Sequence, residues 1–315
     1  MNLTKHPSWK IFDSSKVQEF QTCPRKYFYR YILGWTSEYP NNHLVFGRAV
    51  HKALEHLLLN GYSSNSVSDA FDLFLEDYRS EFDEETDELF APKIPERVLP
   101  ALVEYCDYYK RDSDEFDVLY TEVAGTVPLA DDRVMHFRQD AICRKKSTGE
   151  VFSLEHKTLG ATPSQRWTEQ WDLKTQIGTY THVLYCLFPR EEVFGVVINA
   201  LGFLKTKSSF LRHPVRKTEE SMNVWLWNTL YWLDQIHWHT ALLQDCSEDD
   251  PVLRAFPMNT ESCTKYYGCP FKDFCSAWAN PLRHCEEPPS GFKTEWWNPL
   301  EEPSRHKVEG GKFVE

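Results

Sequence analysis

An α/β fold, with a mixed central sheet flanked by helices, is what this 315-residue sequence predicts. Three observations carry it. Residues 136–142 and 154–158 alternate like the two strands of a hairpin that turns at Ser147-Thr148-Gly149-Glu150. Residues 193–204, VFGVVINALGFL, read as a buried strand. Apolar residues at helical spacing recur on either side of these strands, over 13–33, 45–60, 66–82, 93–110, 164–188 and 218–244. The early helices include an N-terminal helical insertion over about 60–112, and the chain closes on a cysteine-bearing segment.

Each element has a local reason. Over 13–33, Ser15 followed by Gln18 fits a capping box, and Cys23-Pro24-Arg25-Lys26 leads into Tyr27, Phe28, Tyr29 and Tyr31. Arg25 and Lys26 there are candidate phosphate contacts with aromatic rings nearby, or the solvated face of an amphipathic helix. The helix over 45–60 stops near Gly61, and its His51 and Glu55 are four apart, so they share a face. The acidic run Asp83–Glu88 reads as a solvated loop. Residues 116–129 alternate as a strand, with Glu122 equally readable as facing an active space or lying on an edge. On the helix over 164–188, Gln176 and Tyr180 share a face. The basic residues Lys205, Lys207, Arg212, Arg216 and Lys217 either line a phosphate track or are simply solvated. Trp225, Trp227, Trp232 and Trp238 read as packing residues of the last long helix.

Composition sets bounds. The length allows one large domain or two small ones, and hydrophobic residues at 41% and aromatic residues at 15% mark a globular chain; the expectation is a single domain over 1–285 followed by a tail over 286–315 with Trp296-Trp297 as a docking point. No run of 18 apolar residues and no signal-peptide core at the N-terminus lead to the expectation of a soluble cytoplasmic protein without a membrane partner. A net charge of −12 argues against nucleic-acid binding by the whole surface but leaves room for a local basic channel. With no GxxxxGK[ST] loop and no internal repeat, an ATPase motor is not visible.

The chemistry concentrates on the hairpin. Strand side chains alternate, so Glu155 and Lys157 face one way and Phe152, Leu154 and His156 the other. Pairing brings Asp140 beside Glu155. Two carboxylates can hold a hard divalent cation, which would polarise a phosphate and acidify water, with an ammonium group placed to offset developing charge. The alternative is a solvated strand face with a surface ion pair. A second constellation is Cys263, Cys269 and Cys275 at C-x5-C-x5-C, which suggests thiolate ligation of a soft metal centre. Three ligands need a fourth; Cys23 and Cys285 compete, and a four-thiolate zinc site or buried free thiols are the other readings.

Together, SSKVQEFQTCPRKYFYRY, GRAVHKALE, FRQDAI, SLEHKT, QIGTY and GCPFKDFC, in that order from about Ser14 to Cys275, resemble the RecB-type nucleases of the PD-(D/E)xK superfamily. The closest likeness is to its iron–sulfur branch of CRISPR-adaptation nucleases, AddB-type recombination subunits and phage exonucleases. The resemblance implies a restriction-endonuclease-like sheet and Mg²⁺- or Mn²⁺-dependent DNA cleavage at ends or on single strands. It implies His51, Asp140 and Glu155 as metal ligands, with the carbonyl of His156, and Asp140, Glu155 and Lys157 as catalytic residues. Gln176 and Tyr180 would support the site or contact DNA. Cys23, Cys263, Cys269 and Cys275 would hold a 4Fe-4S cluster, and a helicase, recombinase or CRISPR-adaptation protein would be a partner. Two departures stand out: the first two cysteines of the trio are five residues apart where a CxxC is common, and Gln139 replaces the motif's proline. The rivals are a nuclease-dead DNA-binding or assembly subunit and a site-specific restriction-type endonuclease, the latter without an evident recognition domain.

Overall fold

The structure is a computed structural model that describes residues 5–130, 132–265, 268–299 and 303–314. Its helices are α1 (Ser14–Thr22), α2 (Pro24–Tyr27), α3 (Asn42–Asn60), α4 (Ser64–Arg79), α5 (Pro95–Tyr108), α6 (Asp112–Glu115), α7 (Gln165–Glu169), α8 (Thr175–Leu187), α9 (Glu219–Leu242) and α10 (Lys272–Ala277). Its strands are β1 (Trp35–Ser37), β2 (Phe116–Pro128), β3 (Val134–Lys145), β4 (Val151–Leu159), β5 (Val193–Phe203), β6 (Ser208–Val215), β7 (Phe292–Thr294), β8 (His306–Glu309) and β9 (Lys312–Val314). Short 3-10 turns and a π-turn at Phe28–Ile32 join them.

Contacts divide the chain into two compact units. One comprises Pro40–Val127, Phe137–Thr218 and Ser304–Glu315; the other comprises Met1–Tyr39, Pro128–His136 and Glu219–Pro303. The sequence offered one domain over 1–285 and a tail beyond it. The difference arises because segments distant along the chain are drawn together by packing that no local pattern announces. The expected tail is built in: β7 pairs antiparallel with β1, and β8 pairs parallel with β2.

The first unit holds a seven-stranded sheet in the order β6-β5-β4-β3-β2-β8-β9. It is mixed, as expected. β3 and β4 are antiparallel, with Ala141 opposite Leu154; β4 and β5 run parallel, which requires the α7–α8 crossover between them. Helices flank the sheet. Asn41 caps α3 by accepting from the His43 and Leu44 amides, and Gly61 (φ 80°) ends it in the left-handed region. α3, α4 and α5 then bury Phe46, Ala49, Leu57, Phe74 and Leu102 against Leu201 and Phe203 of β5. Gly125 (φ +152°) faces Val308, and a Cβ there would overlap the Val308 carbonyl, so the β2–β8 pairing depends on a glycine.

Several local expectations shift. The α1 cap is Asp13, which accepts the Lys16 amide at 2.8 Å, not Ser15. The single helix expected over 164–188 is broken into α7 and α8. No proline or glycine lies at the break; Trp171 is instead turned inward and buried, a tertiary preference that overrides local propensity. The acidic run is a 3-10 turn in which Arg79 grips Asp87 through two bonds, 2.8 and 2.6 Å. Arg212 leaves the expected phosphate track altogether, because it is committed to Asp112 at 2.6 Å. Of the tryptophans on α9, Trp225 packs inward but Trp227 and Trp238 stay exposed. Among the described residues no helix is long and apolar enough to cross a membrane.

In the second unit Lys16 is fully buried, donating to the carbonyls of Ser8 (2.6 Å) and Ile11 (2.7 Å) with the rings of Phe12, Tyr31 and Trp297 within 5.7 Å. Burial lowers its pKa to about 7, with Asp13 opposing. A lysine whose folded pKa is depressed holds its proton more tightly when unfolded, so its contribution makes stability rise with pH between about 7 and the unfolded value near 10.5. Melting curves of the wild type should therefore show a rise from pH 7 to 9 that is flattened in Lys16→Met. Parallel profiles for the two proteins would show that Lys16 keeps an ordinary pKa.

Candidate active site

The hairpin brings Asp140 and Glu155 together on neighbouring strands, and α3 and α8 bring the rest. Asp140 is fixed at both oxygens. Its Oδ2 accepts the His156 amide at 2.7 Å, and its Oδ1 lies 3.2 Å from His51 Nδ1 on α3. Burial alone would raise its pKa, but His51, with help from His156 and Lys157, pulls it well below the ordinary carboxylate range. Asp140 is thus an anion. The same pairing outweighs burial at His51 and holds that pKa up.

Glu155 is different. It is only 3% exposed, and burial followed by repulsion from Asp140 raises its pKa well above the usual value, with Lys157 opposing. Its Oε1 accepts from Lys157 Nζ at 2.5 Å and from Gln176 Nε2 at 3.1 Å. Its Oε2 is buried with no hydrogen-bond partner among the described residues. Such an orphaned oxygen is costly unless something else satisfies it. Lys157 is held charged, burial notwithstanding, by Glu155 and Asp140, and its ammonium lies 5.6 Å from the ring of Trp171.

Gln176 and Tyr180, one turn apart on α8, act as a brace: Gln176 Nε2 also donates to the Tyr180 hydroxyl at 2.9 Å, and the Tyr180 carbonyl accepts from Gln139 Nε2 at 3.1 Å. Two members of the site were not singled out in the sequence. Trp171 lies under Lys157 because of the break before α8. Asn199 Nδ2 on β5 donates to His156 Nδ1 at 2.8 Å, and only pairing between parallel strands brings it there. Glu122, at φ +47°, is spent on Arg138.

A divalent cation fits this donor set. Asp140 is ionised, Glu155 has an oxygen to offer, and His51 supplies an imidazole. Among the described residues, however, no three His, Cys, Asp or Glu side chains already surround a single point. The side chains are engaged with one another, so a cation would have to draw Glu155 away from Lys157.

The candidate ligands Cys23, Cys263, Cys269 and Cys275 lie in the other unit. The Cys269 thiol is raised by burial and further by Cys23 and Cys263; burial pushes Cys275 up to about 11, Arg25 opposing and Cys23 and Cys269 adding. Those four sulfurs therefore lie near enough to feel one another. The Cys269 amide bonds the Cys263 carbonyl at 3.0 Å, and the Asn259 amide donates to the Cys23 sulfur at 3.3 Å. Cys285 instead turns its sulfur to the Pro281 carbonyl at 2.9 Å. Cys23, Cys263, Cys269 and Cys275 thus share one neighbourhood, although among the described residues no three of them already surround a single point. Arg25, expected as a phosphate contact, is corrected: it is 3% exposed and donates to the Phe256 (2.9 Å) and Leu253 (3.3 Å) carbonyls, leaving no surface for a phosphate. Lys26 pairs with Glu19 at 2.8 Å.

No curated protein matches the chain. One solved structure, titled "Crystal structure of SSO0001", is 12% identical with a TM-score of 0.30, over 74% of this chain and 97% of that one. The family model of the PD-(D/E)XK nuclease superfamily matches residues 14–276. Proteins of that superfamily are generally nucleases that hydrolyse phosphodiesters and typically use divalent metals. With most of its length matched and Asp140, Glu155 and Lys157 converging on one space, the chain belongs to the PD-(D/E)XK nuclease superfamily.

Proposed function

We propose that this chain is a Mg²⁺- or Mn²⁺-dependent deoxyribonuclease that cleaves DNA from ends or on single strands, in recombination, repair, phage DNA processing or CRISPR adaptation. The observation that carries the hydrolytic part is the convergence of ionised Asp140, the half-satisfied Glu155 and charged Lys157. The choice of DNA ends or single strands, the RecB-type assignment and a helicase, recombinase or adaptation partner rest on the order of motifs shared with that branch.

When bound, the cation polarises the phosphate and acidifies water. The side chains do the rest. Asp140 and Glu155 provide the negative charge that holds the cation, and His51 and the His156 carbonyl complete the protein's share of the ligands. Lys157, released from Glu155, faces the phosphate and offsets charge that builds on its oxygens. Gln176 keeps Glu155 Oε1 aimed while Tyr180 holds Gln176.

The second part of the proposal is a 4Fe-4S cluster on Cys23, Cys263, Cys269 and Cys275. Binding at a folded site contributes to folding free energy, so the cluster ties α1 and α2 to the segment that ends at α10 within their unit.

Lys157→Ala should lower cleavage of end-labelled DNA by about a hundredfold or more, as expected when one transition-state donor is removed, with DNA binding retained. Wild-type-like cleavage would remove Lys157 from the chemistry, and a wild type that binds DNA without cleaving it in either metal would point to an assembly subunit. His51→Ala should impair Mn²⁺-supported cleavage more than Mg²⁺-supported cleavage, because imidazole suits the transition metal and Mg²⁺ prefers oxygen; equal losses would make His51 structural.

Anaerobically purified protein should be brown with about four irons per chain. Cys23→Ser should lose iron and thermal stability together, whereas Cys285→Ser should keep both. Colourless protein carrying one zinc, or iron loss in Cys285→Ser alone, would contradict the assignment.

A further inference from the structure

A chain of buried polar side chains runs behind the hairpin, on the face opposite Glu155 and Lys157. Asp112, at the start of α6, accepts Arg212 Nη1 at 2.6 Å and Nη2 at 2.6 Å, a two-pronged grip that fixes the guanidinium. The Tyr62 hydroxyl donates to the same carboxylate at 2.6 Å. Arg212 Nε reaches Asn199 Oδ1 at 3.3 Å, and Asn199 Nδ2 meets both the Tyr105 hydroxyl at 3.0 Å and His156 Nδ1 at 2.8 Å. Arg212 Nη2 also donates to the Tyr105 hydroxyl at 3.1 Å.

Donor chemistry gives this chain a direction. A guanidinium can only donate, so the side of Asn199 facing Arg212 must be its oxygen, and the amide NH₂ must face His156. Nδ1 of His156 must then accept, which places the ring proton on Nε2. Asn199, His156, Gln139 and Thr121 are among the few polar side chains buried in the sheet, and Asn199 and His156 are partners in the β4–β5 register. The ring of His156 in turn lies edge-on to that of His51, with centroids 5.6 Å apart, and the His156 amide is the donor that fixes Asp140.

We infer that Asn199, fixed by the Arg212–Asp112 pair, is a positioning residue for the nuclease site: it locks His156 in the Nε2–H tautomer and thereby holds in place the peptide that orients Asp140. It acts through the one residue that lies between Glu155 and Lys157 in the chain and beside His51 in space. The role rests on the metal-nuclease reading proposed above. Outer partners of metal-site residues commonly set metal affinity by ten- to a hundredfold when removed.

The test uses the full chain with Mn²⁺ as the probe. Imidazole ¹⁵N NMR of the wild type should show His156 protonated at Nε2; a proton on Nδ1 overturns the lock without reference to any variant. Asn199→Leu, close in size, should raise the Mn²⁺ concentration needed for half-maximal cleavage about tenfold to a hundredfold, with cleavage returning toward wild type at saturating Mn²⁺. Calorimetric Mn²⁺ binding without DNA should weaken by the same factor. Arg212→Lys keeps the charge but loses the fork, and should shift both readings in the same direction. A folded Asn199→Leu with an unchanged Mn²⁺ requirement, or activity that falls only with the folded fraction, assigns the network a purely structural role and overturns the inference. A wild type that takes up no Mn²⁺ overturns the metal reading itself, and the calorimetry on wild type alone tells these two failures apart.

Discussion

A buried carboxylate, Asp140, must remain charged for the rest of this site to work, and the fold is arranged so that it does. Removal from water opposes ionisation; the His51 ring 3.2 Å away, helped by His156 and Lys157, reverses that preference, while the His156 amide at 2.7 Å fixes the other oxygen. The partners come from two elements: α3, and β4 through both its backbone and its side chains. The hydrophobic packing of α3, α4 and α5 on β5 sets where His51 stands, and the β3–β4 register sets where the amide stands. Loss of either would leave an uncompensated buried charge, which costs far more than a surface ion pair returns.

Glu155 shows the complementary half of the design. Two adjacent carboxylates resist double ionisation, so the more solvent-starved of them drifts upward and leans on Lys157. A site with one fixed anion, one carboxylate with an unused oxygen and one ammonium is poised between a closed ion pair and an open cation site. That poise is the sort of perturbed ionisation found at functional centres, and it separates this constellation from an ordinary salt bridge on a strand.

Much of the site could be read from residue spacing. Period-two alternation put Glu155 and Lys157 on one face with His156 behind, and the i, i+4 rule put Gln176 beside Tyr180; both hold in the structure. What stayed hidden depended on contacts between distant segments. Trp171 reaches Lys157 only because a helix breaks where no breaker residue stands. Asn199 reaches His156 only through a parallel pairing of β4 with β5. Arg25, near aromatics, and Arg212, in a basic cluster, each read as a phosphate contact or a solvated residue; burial and committed partners remove both from the phosphate role. The last thirty residues, rich in proline, glycine and charge, read as a tail, yet short strands there complete sheets whose other members lie far upstream.

The account stands on a cation being held between Asp140 and Glu155, and anomalous scattering from crystals grown with Mn²⁺ measures that directly. The expected result is a peak within about 2.0–2.3 Å of carboxylate oxygens of both residues, next to His51, with Lys157 moved off Glu155. A peak elsewhere, or the Lys157–Glu155 pair intact with no peak at saturating Mn²⁺, would contradict it.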